Sequence, residues 1–173
     1  MSDRIPNSFF QENDALFVAK NLLGKTLVRQ FEDGIIKRFQ ILETEAYLGE
    51  DDLACHASKG KTPRTSVMYE EGGLVYVYLI YGMYWMLNIV TGSKDHPQAV
   101  LIRGISSCIG PGRVGNQLKI DKSFYGENLE LSDRIWIENS DFSGEILQTP
   151  RIGIEYAGDI WKNKPWRFIL IPD

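Results

Sequence analysis

The sequence predicts an α+β fold: a curved, largely antiparallel β-sheet with flanking helices. Three observations carry that prediction. The length and composition, 173 residues of which 43% are hydrophobic, suit one compact unit with a proper core, so a single domain over residues 1–173 is expected. Short β-branched and aromatic runs recur along the chain between turn residues, while helical spacing is confined to a few stretches. No repeat, low-complexity tract or linker interrupts the pattern.

Taken in order, Asn13 followed by DALFVAKNLL and Gly24 has the pattern of a capped amphipathic helix: a polar N-cap, apolar residues at helical spacing and a terminating glycine. Residues 25–30 and 35–47 form two strands across the turn signal EDG. Residues 49–64 are polar and glycine-bearing, a long loop of the kind that usually carries function in a small domain. GLVYVYLIYGMYWMLNIV, residues 73–90, reads as a hairpin of buried strands broken at Tyr81, Gly82 and Met83. Residues 98–104 supply another strand. GPGRVGNQLKI then opens with helix-breaking residues before a helical LKI segment. RIWIEN, RIGIEY and PWRFILI complete the sheet as short strands.

Several function classes are disfavoured. The start, MSDRIPNSFFQEND, lacks the basic-then-apolar order of a secretory signal, and no apolar run has membrane-spanning length. An intracellular, non-secreted protein with no membrane partner is expected. Only two histidines, no CxxC and no HExxH argue against a bound metal, and Cys55 and Cys108 are expected as free thiols. A net charge of −4 argues mildly against a nucleic-acid partner. Its distribution is uneven: SKGKTPR (58–64) is basic, as is IRGISSCIGPGRVGNQLKIDK (102–122) on balance, whereas residues 126–145 are acidic.

The candidate chemistry begins in ILETEAYLGEDDLACH, residues 41–56. Glu43, Glu45 and Tyr47 share one face of a strand, so an apolar side turns acidic where the strand enters the long loop. A carboxylate held there, partly desolvated, can serve as general base on water; it can equally pair with surface lysines. Tyr47, Tyr78, Tyr81, Tyr84 and His56 suit either a sheet core or a nucleobase pocket, since flat rings grip a flat base by stacking. Tyr76 and Trp85 read as core. Tyr81, beside Gly82 at the hairpin corner, is placed to wedge into a base stack. Asn88 is the polar side chain in YWMLNIV, either a bracket for backbone or a group that inspects a ligand edge. Arg103 ends the strand AVLIR, where it can reach a carboxylate or a phosphate, or face water. GPGRVG matches neither a P-loop nor a Rossmann turn, although with Arg113 it could lie along a phosphodiester backbone.

ETEAY (43–47), His56, TPR (62–64), YVYLIYGMYWMLN (76–88), VLIRG (100–104) and GPGRV (110–114) together resemble the alkyladenine, or methylpurine, DNA glycosylase family, and the likeness extends to KPWRF (164–168). The resemblance implies that Glu45 activates a water for attack on C1′ of a flipped nucleotide, helped by Arg103 and the main-chain carbonyl of Ile152. It implies that Tyr47, His56 and Tyr78 wall the base pocket, that Asn88 excludes normal guanine, and that Tyr81 fills the gap left by the extruded nucleotide. Arg64 and Arg113 would contact phosphates. No lysine matches the attacking position, so the product would be an abasic site on an uncut strand, with no cofactor and no metal. The implied partner is double-stranded DNA containing damaged purines, bound by a monomer in the cytoplasm, or in the nucleus of a eukaryote.

Two other functions compete with that reading. A non-catalytic module that stacks a nucleobase would use the aromatics without Glu45. A hydrolase of free nucleosides or small glycosides would pair Glu43 with Glu45 as acid and base, but one strand places two carboxylates poorly across a glycosidic bond, and a free-nucleoside hydrolase has no use for a wedge tyrosine.

Overall fold

The computed structural model describes residues 3–173. Two helices, α1 (Asn7–Gln11) and α2 (Ala15–Leu22), precede strands β1 (Thr26–Gln30) and β2 (Ile36–Tyr47). A long segment with two 3₁₀ turns leads to β3 (Val75–Ile80), β4 (Tyr84–Thr91), β5 (Gln98–Ile105) and the short β6 (Cys108–Ile109). Helix α3 (Pro111–Gln117), β7 (Ile135–Glu138), β8 (Gly144–Thr149), α4 (Gly158–Lys162) and β9 (Arg167–Pro172) follow. The expected α+β class holds: the strands form one sheet of order β3-β4-β5-β2-β1-β7, with β6 on β5 and the β8–β9 pair on β2. Every pairing between these strands is antiparallel. Among the described residues no helix is long and apolar enough to cross a membrane.

Helix α2 forms because Asp14, rather than the expected Asn13, caps it. The Asp14 carboxylate accepts from the Phe17 amide at 2.8 Å, while Asn13 turns back and donates to the Phe9 carbonyl at the end of α1. Its buried face, Ala15, Val18, Ala19 and Leu22, packs on Ile41, Ala46, Ile102 and Phe168 of the sheet. Covering a side chain such as Leu22 contributes about 2 kcal/mol.

β2 is the strand that matters for function, and a β-bulge explains its sequence. Ile41 pairs with Ile105 and Glu43 with Gly104, but Thr44 already pairs with Ile102, so Leu42 and then Arg103 are the extra residues. Each shift of one residue changes which side chains face the core. Phe39 and Ile41 point into the core, and beyond the bulge Ala46 continues that core while Thr44 donates to the Ala19 carbonyl of α2 at 2.8 Å. Glu43, Glu45 and Tyr47 share a face as expected, but it is not the face of Phe39 and Ile41. The apolar side does not become acidic; the strand changes sides.

Two further expectations are corrected. The helix after β6 is PGRVGNQ, not LKI. Pro111 sits at its first position, where a missing N–H costs nothing, and Lys119 leaves the helix with φ +50°. A Cβ on Gly115 would lie 2.0 Å from the Trp85 carbonyl oxygen, and one on Gly112 would lie 2.9 Å from the Tyr84 ring. These glycines let α3 seat on β4. RIGIEY is not a strand either: Gly153 (φ +74°) and Gly158 (φ +83°) turn the chain, and residues 155–157 form a 3₁₀ turn before α4. β8 lay outside the expected strands. The Tyr81–Gly82 corner holds, with the Met83 amide donating to the Ile80 carbonyl at 3.1 Å.

Candidate active site

The far end of β2 opens into a cleft of about 690 Å³ lined by Glu45, Tyr47, His56, Arg64, Tyr78, Tyr81, Arg103 and Ile152, among others. A narrower slot of about 40 Å³ continues inward from it. Tyr47, Cys55, His56, Tyr78 and Tyr156 line both spaces, while Tyr76 and Asn88 line the slot.

Glu45 stands at the cleft floor with none of its surface exposed. Its Oε1 accepts from the Tyr47 hydroxyl at 2.9 Å, and its Oε2 accepts from the Ile152 amide at 2.7 Å. Arg103 Nη1 is 3.7 Å from Oε1. Burial raises the pKa of the carboxyl above its ordinary value, opposed by Arg103, the Ile152 amide, the Tyr47 hydroxyl and Arg151. A carboxyl group so held is kept proton-avid by exclusion of water, while its donors and Arg103 favour the charged form.

Arg103 owes its aim to the bulge, which places it opposite the interval between Glu43 and Thr44. Its Nε donates to Glu43 at 3.0 Å while Nη1 turns to Glu45. Arg167 of β9 donates to the same Glu43 oxygen. Glu43 is therefore occupied by two guanidinium groups and is not available as the acid partner of Glu45. The paired-carboxylate hydrolase is left without its second group.

The aromatic wall is built from three segments. Tyr47 comes from β2, Tyr76 and Tyr78 from β3, and His56 from the 3₁₀ turn His56–Lys59 in the long loop. The His56 and Tyr78 rings meet edge to face, with centroids 4.5 Å apart, and His56 Nδ1 lies 2.8 Å from the Tyr76 hydroxyl. Burial, then the nearby charges of Arg64 and Lys59, push His56 down to about 4, so its ring is neutral at physiological pH. Tyr76 is both core and slot wall, more than the filler its sequence suggested. Among the described residues the side chain of Asn88, 3% exposed, reaches only the Met86 carbonyl, at a long 3.4 Å. That leaves its amide facing the slot.

The family model described as Methylpurine-DNA glycosylase (MPG) matches residues 8–108 and 106–172. This chain belongs to the methylpurine-DNA glycosylase family. Its relatives include proteins of Sodalis glossinidius, 45% identical over 97% of this chain and 98% of the relative, and Chlamydia felis, 42% identical over 96% and 95%. Another, from Methanocella arvoryzae, is 41% identical over 95% of this chain and 90% of its own. Each is designated, provisionally, a 3-methyladenine DNA glycosylase.

In this methylpurine-DNA glycosylase family member, most of the residues singled out in the sequence converge. Glu45, Tyr47, His56, Arg64, Tyr78, Tyr81 and Arg103 border one cleft and Asn88 the slot beneath it. The Arg64 guanidinium lies 5.0 Å from the centre of the Tyr78 ring. Tyr81 is 85% exposed at the hairpin tip and adopts a left-handed conformation, φ +53°. A bulky residue in that region costs about 1–2 kcal/mol relative to glycine, so nothing about folding alone favours a tyrosine there. Arg113 does not join the group: it is exposed on α3 and lines a separate groove with Phe31, Lys37, Asn116 and Lys119. The sequence reading put the Ile152 carbonyl near the water; the contact made to Glu45 is through the Ile152 amide. Missed altogether were Asp52, Arg151, Arg167 and Tyr156. Only their adjacency to ETEAY, RIGI and PWRF could have drawn attention to them.

Proposed function

We propose that this chain, acting over residues 1–173 as one domain and as a monomer inside the cell, is a monofunctional DNA glycosylase. It removes alkylated or deaminated purines, of the 3-methyladenine, 7-methylguanine, hypoxanthine and ethenoadenine class, from double-stranded DNA. The observation that carries this reading is Glu45: a fully buried carboxyl group that accepts from an amide and a hydroxyl beside an arginine, at the junction of an open cleft and an aromatic slot. The family membership supports the same class of reaction.

A base inside a duplex is out of reach, so the nucleotide must swing out, and damaged bases are extruded at lower cost. The purine then lies among Tyr47, His56 and Tyr78 with one edge toward Asn88, while Tyr81 occupies the space left in the stack. Arg64 contacts the phosphodiester backbone from the rim and Arg113 from the neighbouring groove. Glu45 takes a proton from a water as its oxygen bonds to C1′. The C1′–N9 bond breaks, and the purine leaves with the electron pair. Arg103 offsets negative charge at the carboxylates and orients Glu45. Cationic bases such as 3-methyladenine leave readily, whereas neutral hypoxanthine needs a proton first. Among the described residues the groups touching Glu45 include no amine nucleophile, which favours water over a Schiff base. No metal or organic cofactor enters these steps.

The test is product analysis on duplex oligonucleotides bearing each lesion, with borohydride present in a parallel reaction. Free base plus alkali-labile abasic sites, with intact strands before alkali and no borohydride-trapped complex, is the expected result. A trapped complex would replace water with an amine, and lesion binding with no release of base would leave a non-catalytic stacking module.

A further inference from the structure

Directly beneath Glu45 lies an ion pair that takes no part in the steps above. Arg151 and Asp52 have fully buried side chains; Nη1 donates to Oδ2 at 2.6 Å and Nη2 to Oδ1 at 2.9 Å. Nη1 also donates to the Ala46 carbonyl at 2.9 Å, the backbone group immediately after Glu45. Asp52 in turn accepts from the amides of Leu48 and Ala54 at 3.0 and 3.1 Å, which ties down both sides of the loop entry after β2. The Arg151 guanidinium lies 4.9 Å from the centres of both the Tyr47 and the Trp166 rings. The next residue in the chain, Ile152, presents its amide to Glu45.

As a stability device this pair is a poor choice, because desolvating two ions offsets most of their attraction and a packed apolar pair would serve as well. Arg151 even leaves its Nε buried without a partner among the described residues. What an apolar pair could not do is fix the Leu48 and Ala54 amides and the Ala46 carbonyl by direction. Resting on the reading of Glu45 as the base, we propose that Asp52 and Arg151 are positioning residues for excision: they clamp the 151–152 backbone against β2, so that the Ile152 amide and the Tyr47 hydroxyl hold Glu45 in one orientation toward its water. The residues act through Ile152 and Tyr47, not on substrate.

The readout follows from what faces Glu45. Arg103 comes from β5, with Glu43 behind it; Tyr47 from β2; Tyr78 from β3; Arg151, Ile152 and Tyr156 from the segment after β8. Loosening the clamp weakens the Ile152 amide, the Tyr47 hydroxyl and the Arg151 charge together and leaves burial in place, so Glu45 holds its proton to higher pH.

The experiment is single-turnover excision of 7-methylguanine from duplex DNA between pH 5 and 8, with enzyme in excess. The cationic base departs without being protonated, so the acid limb reports the base alone. Asp52→Asn and Arg151→Lys are compared with wild type after their folding has been checked by thermal melting; Arg151→Lys keeps the buried charge and carries the test alone if Asp52→Asn does not fold. The expected result is a rate about tenfold below wild type on the acid limb, one pH unit of displacement, that converges toward wild type by pH 8. A uniform fall with the acid limb unmoved would mean a merely structural pair and would overturn the proposal. Glu45→Gln runs beside them. If it retains excision, the base assignment fails and this proposal fails with it; if it is inactive while the limb of Arg151→Lys stays put, this proposal alone fails.

Discussion

Glu43 and Glu45 are two residues apart on one face of one strand, and the structure treats them differently. Glu43 is clasped by Arg103 and Arg167, two full guanidinium charges for one carboxylate. Glu45 is more deeply buried, receives hydrogen bonds from a backbone amide and a hydroxyl, and has its nearest cation at 3.7 Å. The first arrangement is saturated and holds the β2–β5–β9 junction together. The second is under-compensated, and burial keeps its proton affinity high. Two like residues thus divide into a structural anchor and, on the proposed reading, a reactive group through their partners, not their position.

That comparison can be broken by mutation. Glu43→Gln takes the carboxylate from Arg167 and leaves Arg103 with only its 3.7 Å contact to Glu45, two arginines themselves only 19% and 12% exposed, and is expected to cost about 3 kcal/mol in urea unfolding. Glu45→Gln keeps one acceptor for the Ile152 amide, turns its NH2 toward the Tyr47 hydroxyl, which can accept, and removes a poorly compensated buried charge, so its stability should stay within about 1 kcal/mol of wild type. Equal losses in the two variants would show that both carboxylates are structural.

The His56 side of the pocket sharpens the contrast. Folded His56 titrates near 4 against 6.5 when unfolded, so between those values the unfolded chain binds the extra proton. Stability from this residue is therefore complete above pH 6.5 and declines as pH falls toward 4, by roughly 3 kcal/mol. Glu45, shifted upward, contributes in the opposite sense. Urea midpoints at pH 7 and pH 4.5 should differ less in His56→Gln than in wild type; an unchanged difference would place the acid sensitivity elsewhere.

Tyr81 gives the smallest effect and the plainest separation of folding from function. Asn favours the left-handed conformation that Tyr81 is forced to adopt before Gly82, so Tyr81→Asn should stabilise the fold by about 1 kcal/mol. The same change should slow excision from duplex DNA by about an order of magnitude, the loss of a wedge into the stack. A variant that is more stable and equally active would remove the wedge assignment.

Much of this was legible in the sequence where the signals are local. The hairpin corner at Tyr81, the strand that ends at Tyr47 and the helix closed by Gly24 follow from turn residues and periodicity. The errors came from long-range packing. The bulge in β2 depends on its partner β5, so the change of face between Ile41 and Thr44 left no mark in the sequence of either strand. Helix α3 begins in residues that read as breakers because Gly112 and Gly115 are there for contact with Tyr84 and Trp85. Asp52 and Arg151, 99 residues apart, each look like surface charges until the fold buries them together. The candidate site was readable as chemistry in ETEAY and His56, but the Asp52–Arg151 pair beneath it was not.

The most direct measurement is single-turnover excision by Glu45→Gln, with duplex binding measured on the same lesion-bearing oligonucleotide. A loss of at least about a hundredfold in rate, with affinity and melting temperature near those of wild type, is the predicted result for a general base of this kind. Excision within a few-fold of wild type would contradict it and assign the activation of water to another group.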